Sequence, residues 1–218
     1  MKNVLLVYHE ETMALLPYHE KYRLRSDEEI ARRAYVKEEE LRRIFEAIKY
    51  KPADDLIRVA VLGCVDPRMV SHHKRIFEKL LEKPVELTTF DITIEHLRDK
   101  LGVVEHDCTL PLPNPPYHIT FGHVLLKFIE TEKQWDVIKN SYEALVPGGL
   151  AIHVYDEEDV TTTTAKQADG GWPVPLMCWK EKLEEKGILF QDLPWEIALE
   201  QIPIPIRGLK GGALVMKK

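Results

Sequence analysis

The chain has 218 residues, of which 44% are hydrophobic and 30% are charged, and its formal net charge is −6. This length suits one domain with an appendage, and the acidic balance excludes a broadly basic surface that coats nucleic acid. No apolar run approaches the roughly 18 residues of a membrane span, and the three cysteines form no C-x-x-C pair, so we expect a protein of the reducing cytoplasm without a disulfide framework.

The N-terminal part of the chain is predicted to be helical. Ser26 with Glu29 three positions later is a capping-box pattern, and apolar residues recur with helical spacing over residues 26–50. Pro52 is expected to end this helix. Residues 1–52 are therefore predicted to form a helical N-terminal extension.

Beyond residue 53, short apolar runs alternate with amphipathic segments. Strands are predicted at residues 56–62, 85–90, 102–106, 117–126 and 150–155. Helices are predicted at residues 66–83, with Asp66 as N-cap and Pro67 as first residue, and at residues 93–101. A further helix is expected to carry Trp135, Ile138, Tyr142 and Leu145 on one face and to stop at Pro147.

This alternation predicts β-α-β crossovers and a mostly parallel sheet. Three more strand-like segments follow at residues 188–190, 197–204 and 213–216. No helical pattern separates the segments at residues 197–204 and 213–216, so they are predicted to form an antiparallel pair. Residues 53–218 together are predicted to form one α/β domain.

Five motifs occur in order along this domain. The first strand ends in a turn at Gly63-Cys64, the second strand ends at Asp91-Ile92, and the third is followed by Asp107-Cys108. The fourth strand leads into His123, and Pro147-Gly148-Gly149 precedes the fifth strand. This ordered set resembles the class I S-adenosylmethionine-dependent methyltransferases, from about residue 56 to the C-terminus.

The resemblance implies a Rossmann-like, doubly wound, mostly parallel seven-stranded sheet with an antiparallel C-terminal strand. It implies S-adenosylmethionine as cofactor and S-adenosylhomocysteine as product. The cofactor-binding residues that it implies are Gly63 and Cys64 under the methionine half, Asp91 with Ile92 at the ribose hydroxyls, and Asp107 with Cys108 at the adenine amino group. His123 would lie between methyl donor and acceptor, where a histidine can act as general base.

The glycine-rich turn departs from the family pattern, which is approximately acidic-x-G-x-G-x-G. Only Gly63 is kept, while Val61, Val65 and Pro67 stand at the acidic position and the later glycine positions. A helix N-terminus is an anion site, but Asp66 as N-cap would already occupy some of its amides. We therefore expect Asp66 and Arg68 to belong to the cofactor site, with Arg68 pairing with the cofactor's carboxylate; the alternative is a solvated arginine at a helix start.

Other patterns indicate less. Asn114-Pro115-Pro116-Tyr117 matches the N-P-P-Y box of amino-group methyltransferases. In those enzymes the box follows the fourth strand, whereas in this chain the segment precedes the candidate fourth strand. A proline-rich loop is therefore favoured. The nine histidines show no compact ligand spacing, and no metal is expected. The absence of G-x-G-x-x-G disfavours a nicotinamide cofactor.

The acceptor is expected to be a small molecule, because the acidic balance disfavours nucleic acid despite a few basic residues near the N-terminus. Its pocket is expected to form from the extension, with a loop over residues 156–179 as a lid. The extension residues proposed for this pocket are Tyr8, His9, Tyr18, Tyr22 and Tyr35. Two alternatives stay open: a non-catalytic methyltransferase-like binding protein whose turn has eroded, and a domain that binds another nucleoside ligand through Asp91.

Overall fold

A seven-stranded sheet carries the fold in the computed structural model, which describes residues 24–156, 170–197 and 209–218. The spatial order is β3-β2-β1-β4-β5-β7-β6. The first five strands are parallel, and β7 runs antiparallel to both β5 and β6. The strands are β1 (Ile57–Leu62), β2 (Val85–Asp91), β3 (Val103–Glu105), β4 (Tyr117–His123), β5 (Leu145–Tyr155), β6 (Phe190–Ile197) and β7 (Leu209–Lys217). The predicted fold class, including the antiparallel end, is confirmed.

Four α-helices lie in the described residues: α1 (Asp27–Ile48), α2 (Pro67–Leu81), α3 (Thr131–Glu143) and α4 (Leu176–Glu185). The capping box of α1 forms as predicted, since the Glu29 amide donates to the Ser26 hydroxyl at 3.2 Å and the Ser26 amide donates to the Glu29 carboxylate at 3.0 Å. The N-cap of α2 is Asp66, as predicted. None of the described helices is long and apolar enough to cross a membrane.

The helices cover the two faces of the sheet separately. α1 and α2 pack with Val59, Val61 and Phe121 on one face, while α3 and α4 pack with Ala60 and Leu62 on the other. This separation follows from the strand geometry, in which successive side chains point to opposite faces. The helix of the N-terminal extension thus contributes to the same core as the sheet, and the division at residue 52 stays a prediction.

Two predicted helices differ from the structure. Residues 93–101 contain only a 3₁₀ turn at Glu95–Leu97, because the amides of Leu97 and Lys100 each bond the carbonyl three residues earlier. Buried Leu97 anchors this short crossover. The prediction of a full helix there is wrong.

The end of α3 is the second difference. The helix ends at Glu143, and Leu145 already pairs with Tyr117 as the first residue of β5. Pro147-Gly148-Gly149 therefore forms an irregularity inside the strand instead of a turn before it. Gly148 has φ of 80°, a conformation that favours glycine, and a Cβ at Gly149 would lie 2.9 Å from the His118 carbonyl oxygen. β5 can therefore lie this close to β4 only without a side chain at position 149.

Smaller differences concern boundaries. α1 ends in a left-handed cap at Lys49, with φ of 52°, three residues before Pro52, which was expected to end it. Most of the strand predicted at residues 197–204 lies outside the described residues, and β6 ends at Ile197.

We expect Leu41→Ala to lower the free energy of unfolding by about 2–5 kcal/mol, because truncating a fully buried leucine removes apolar burial and leaves a cavity. Leu41 lies on α1 and is 0% exposed. The matched control is Leu101→Ala, at a position that is 95% exposed, for which a change within about 0.5 kcal/mol is expected. Chemical denaturation of both variants checks this, and equal losses would contradict an integral role of α1 in the core.

Candidate active site

A cavity of about 350 Å³ lies where the carboxyl ends of β1, β2, β4 and β5 meet. Residues that follow these strands line it, together with side chains of α1 and α2. β1 and β4 are neighbours, although the helices that follow them pack on opposite faces of the sheet. Ligands of open α/β sheets bind at such a switch point, which makes this cavity the candidate site.

The Asp91 carboxylate lines the cavity at the end of β2. One of its oxygens accepts the Cys64 amide N–H at 2.7 Å, and the other accepts the Thr93 amide N–H at 3.3 Å. Burial raises the pKa of Asp91, while these amide hydrogen bonds act in the opposite direction. The Ile92 backbone also donates to this carboxylate, so three of its roughly four acceptor sites are occupied by the protein. The protein thus orients the carboxylate and leaves it able to accept a hydrogen bond from a ligand.

The turn after β1 is fixed by three hydrogen bonds. Besides the Cys64 amide bond to Asp91, the Gly63 amide donates to the Phe90 carbonyl at 2.7 Å, and His96 Nε2 lies 2.8 Å from the Cys64 carbonyl oxygen. Gly63 has φ of 77°, and a Cβ there would lie 3.0 Å from the Leu125 side chain. The one glycine kept from the family pattern is thus required by its backbone conformation and by close approach.

The segment after β3 places Asp107 and Cys108 in the cavity wall, and Ile92 lines it next to Asp91. Asp107 Oδ1 accepts the Thr109 amide at 2.9 Å and the Thr109 hydroxyl at 2.8 Å. Its second oxygen, Oδ2, takes no part in those two bonds. Burial raises the pKa of both the Cys64 and the Cys108 thiol, that of Cys64 to about 12, so both thiols are protonated packing groups at neutral pH.

Asp66 and Arg68 do not line the cavity with the other predicted cofactor residues. The Asp66 carboxylate caps α2 by accepting the Arg68 amide N–H at 2.8 Å, and the Arg68 guanidinium pairs at 2.7 Å with Asp66 and with Asp27 at the start of α1. Arg68 therefore joins the N-termini of two helices. A cofactor-binding role for this pair stays a prediction.

His123, the predicted general base, lines the cavity at the end of β4. Its Nε2 lies 2.9 Å from a carboxylate oxygen of Glu40, which is 5% exposed and comes from α1. Burial and the charge of Lys37 lower the pKa of His123, and Glu40 acts in the opposite direction. The ring is therefore neutral at physiological pH.

This pairing determines the tautomer. A carboxylate only accepts hydrogen bonds, so Nε2 carries the proton toward Glu40 and Nδ1 holds the free lone pair. A neutral imidazole held by a carboxylate is the arrangement in which histidine accepts a proton from a substrate. The site therefore contains an oriented base.

The backbone beside His123 is strained. Val124 lines the cavity and has φ of 58°, a conformation that a β-branched residue adopts rarely. Its amide donates to the Val154 carbonyl at 2.8 Å, which holds the turn against β5. Strain of this kind concentrates at functional sites.

Lys37 and His73 line the cavity close to His123. Burial lowers the pKa of Lys37 to about 8, and its ammonium lies 6.0 Å from the Phe121 ring centroid. His73 is 3% exposed, and neither ring nitrogen has a hydrogen-bond partner among the residues that the structure describes. Burial, with the nearby charge of Lys37, lowers the pKa of His73 well below its ordinary value.

Sequence reasoning missed Lys37, Glu40 and His73. A usable pattern was present, because Arg33, Lys37 and Glu40 recur at helical spacing next to the apolar stripe of α1, and all three line the cavity. The extension reaches the cavity through α1. Of the aromatic residues proposed for the pocket, Tyr35 is 50% exposed and does not line the cavity. Tyr8, His9, Tyr18 and Tyr22 lie outside the described residues, as do residues 157–169 of the proposed lid.

The N-P-P-Y sequence lies at the amino end of β4, away from the cavity. Its backbone carbonyls accept hydrogen bonds from Arg58, at 3.0 Å for Asn114 and 2.8 Å for Pro116. Tyr117 begins β4. Asn114-Pro115-Pro116 thus forms a loop before β4, as predicted.

Across residues 24–156, 170–197 and 209–218, no group of three or more His, Cys, Asp or Glu side chains is arranged to hold a metal ion.

No protein-family model matches the sequence, and no curated protein matches it. The structure resembles that of magnesium protoporphyrin IX methyltransferase (ChlM) from Synechocystis PCC 6803 with bound S-adenosylmethionine, at a TM-score of 0.55 and 10% identity, covering 84% of this chain and 78% of that one. A SAM-dependent methyltransferase from Methanosarcina mazei matches at a TM-score of 0.53 and 13% identity, covering 76% of this chain and 93% of that one.

The [4+2]-cyclase SpnF matches at a TM-score of 0.56 and 13% identity, covering 81% of this chain and 80% of that one. These matches show that the chain has the class I methyltransferase fold. Because that fold also occurs in a cyclase, the fold alone does not specify the reaction.

We expect His73→Leu to reduce the loss of stability on acidification. Below about pH 6.5 the unfolded His73 binds a proton that the folded, buried ring does not. This residue therefore lowers the free energy of unfolding by up to about 1.4 kcal/mol for each pH unit by which the solution is acidified. Denaturation of wild type and His73→Leu between about pH 7.5 and 5.5 measures the difference in slope. His73→Gln, which keeps a polar side chain, should lose the same slope; unchanged slopes in both variants would contradict a neutral, buried His73.

Proposed function

We propose that this protein transfers a methyl group from S-adenosylmethionine to a small-molecule acceptor. One observation carries the proposal: a single cavity joins the Asp91 and Asp107 carboxylates, at the ends of β2 and β3, with the His123–Glu40 pair at the end of β4. The Asp91 and Asp107 carboxylates can accept hydrogen bonds from a nucleoside, and the His123–Glu40 pair can remove a proton from an acceptor. The shared fold of the solved methyltransferases supports the same assignment.

The donor set fits the nucleoside half of the cofactor. Asp91 would accept a hydrogen bond from the ribose hydroxyls, since the protein orients its carboxylate and leaves an acceptor site on it. Asp107 would accept one from the adenine amino group, with Ile92 and Cys108 as apolar walls. Gly63 and Cys64 would lie under the thioether portion, where the positive φ of Gly63 keeps the backbone close.

The bound cofactor would supply an activated methyl group, whose bond to sulfur breaks with its electron pair left on sulfur as the acceptor's bond to carbon forms. The protein's own residues then have two tasks: positioning and removal of the acceptor proton. His123 Nδ1 takes that proton, and Glu40 orients the ring and stabilises the imidazolium. The extension of residues 1–52, through Arg33 and Glu40, closes the acceptor side.

A second candidate is a protein that binds the cofactor or another nucleoside without transferring a methyl group. The turn favours it, because Val65 and Pro67 replace two glycines of the family pattern and Asp66 occupies amides at the start of α2. The cyclase among the structural neighbours shows that this fold serves other reactions. Binding without turnover would support this candidate.

We expect Asp91→Asn to weaken binding of S-adenosylhomocysteine about 10- to 100-fold, because a neutral amide replaces an acceptor of charged hydrogen bonds. The asparagine oxygen can still accept the Cys64 amide, so the turn should stay intact. Isothermal titration calorimetry measures the affinity, with Asp99→Asn at an exposed position as matched control. Failure of the wild type to bind at millimolar ligand would contradict the proposed function.

We expect His123→Asn to lower turnover about a hundredfold to ten-thousandfold, as loss of a general base does, and to leave S-adenosylhomocysteine affinity within about twofold. Glu40→Gln should lower turnover less, because the ring keeps its lone pair but loses the charge that stabilises the imidazolium. Release of S-adenosylhomocysteine is measured with acceptors that the wild type methylates in a panel of phenols, carboxylic acids and amines. His72→Asn, outside the cavity, is the control; wild-type turnover in His123→Asn would exclude His123 as the base.

A further inference from the structure

The N-terminus of α2 has no vacancy for the carboxylate of a ligand. Asp66, which is 1% exposed, caps the helix through the Arg68 amide, and the Arg68 guanidinium neutralises Asp66 and Asp27. A helix N-terminus ordinarily attracts anions, but here an internal carboxylate takes that position. An amino-acid carboxylate near the turn must therefore find its positive partner elsewhere.

Lys37 reaches the cavity from α1. In the part of the chain that the structure describes, no hydrogen bond or ion pair reaches its ammonium, which lies 6.0 Å from the Phe121 ring centroid in a cation–π contact. The nearest carboxylate in electrostatic effect, Glu40, is bonded to His123. A partly desolvated ammonium without a counter-ion gains more than a solvated one from an anionic ligand.

The electrostatic neighbours of Lys37 indicate where it acts. They include Cys64, in the turn after β1, as well as Glu40 and Arg33 on its own helix and Asp156 after β5. Lys37 also lines the same cavity as Gly63 and Cys64, the turn residues that would lie under the amino-acid half of the cofactor. His123, which would face the acceptor, is bonded to a different residue of α1.

His73 is a second polar group in the same region. It lies one helical turn after Met69 on α2, and its two ring nitrogens are buried without a hydrogen bond to any part of the chain that the structure describes. It is also close enough to Lys37 and His123 for their charges to affect its titration. A buried polar group without a partner is costly, and one oxygen atom of a ligand would satisfy a ring N–H of His73.

We propose that Lys37, assisted by His73, binds the α-carboxylate of the cofactor's amino-acid moiety, and that this side-chain site replaces the helix-terminal amides that Asp66 occupies. The inference rests on the proposed function, because it assumes that the cofactor enters this cavity. It assigns no chemical step to either residue. It also replaces Arg68 as the expected partner of that carboxylate.

Two ligands that differ only by this carboxylate test the proposal: S-adenosylhomocysteine and its decarboxylated analogue, which keeps the amine. Calorimetry should show that Lys37→Met weakens S-adenosylhomocysteine binding about 10- to 100-fold and does not weaken binding of the analogue. Lys37→Arg should retain most of the wild-type affinity for S-adenosylhomocysteine. Lys51→Met, at an exposed position, should leave the affinity for both ligands unchanged. His73→Leu should weaken S-adenosylhomocysteine alone, by a smaller factor.

The outcomes separate the inference from the proposed function. If the wild type binds both ligands and Lys37→Met leaves S-adenosylhomocysteine affinity unchanged, or weakens both ligands equally while its thermal unfolding matches the wild type, the carboxylate site is overturned and the proposed function stands. If the wild type binds neither ligand at millimolar concentration, both are overturned. A variant with impaired folding is replaced by Lys37→Gln, to which the same criteria apply.

Discussion

The hydrogen bond from the Cys64 amide to the Asp91 carboxylate fixes the geometry on which the cavity depends. It joins the ends of β1 and β2, and the neighbouring Gly63 amide bonds to the Phe90 carbonyl. With both amides directed at β2, the chain can turn into α2 only through the left-handed conformation at Gly63. The carboxylate that ties the strands together also lines the cavity, and in the proposed function it would bind the ribose, so one group would serve both structure and binding.

α1 supplies the other half of the cavity because its apolar stripe is buried on the sheet. Leu41 and Ile44 insert into the core, and the polar residues that flank them, Lys37 and Glu40, must then lie at the carboxyl ends of the strands. Helical spacing forces this result: a helix that docks one face carries the neighbouring positions to the edge of the contact. For this reason the His123 ring contacts the carboxylate of Glu40, which lies 83 residues earlier in the sequence.

The sequence predicted features that depend on near neighbours in the chain, such as the capping box at Ser26, Asp66 as N-cap and the strands with continuous apolar runs. It placed Asp91, Asp107 and His123 at strand ends, and all three line one cavity. It failed where tertiary contacts decide. Gly148 and Gly149 suggested a turn, yet they form an irregularity within β5, where it pairs with β4. The sequence also did not predict that docking of α1 brings Asp27 within reach of the Arg68 guanidinium.

The lost glycines change the kind of anion site that this fold can contain. The amides at a helix start carry only partial charges and do not titrate in an accessible pH range. A lysine carries a full charge, and burial disfavours that charge. Burial accordingly lowers the pKa of Lys37 to about 8. A ligand carboxylate would stabilise the charged form, so binding of the ligand and protonation of Lys37 favour each other. In the proposed function this coupling extends to the base, because the charge of Lys37 lowers the pKa of His123 and neutralising it with a carboxylate would make His123 a stronger base. In this proposal the substituted turn does not by itself argue against catalysis, because the anion site would lie at a residue that acts electrostatically on His123, the proposed base.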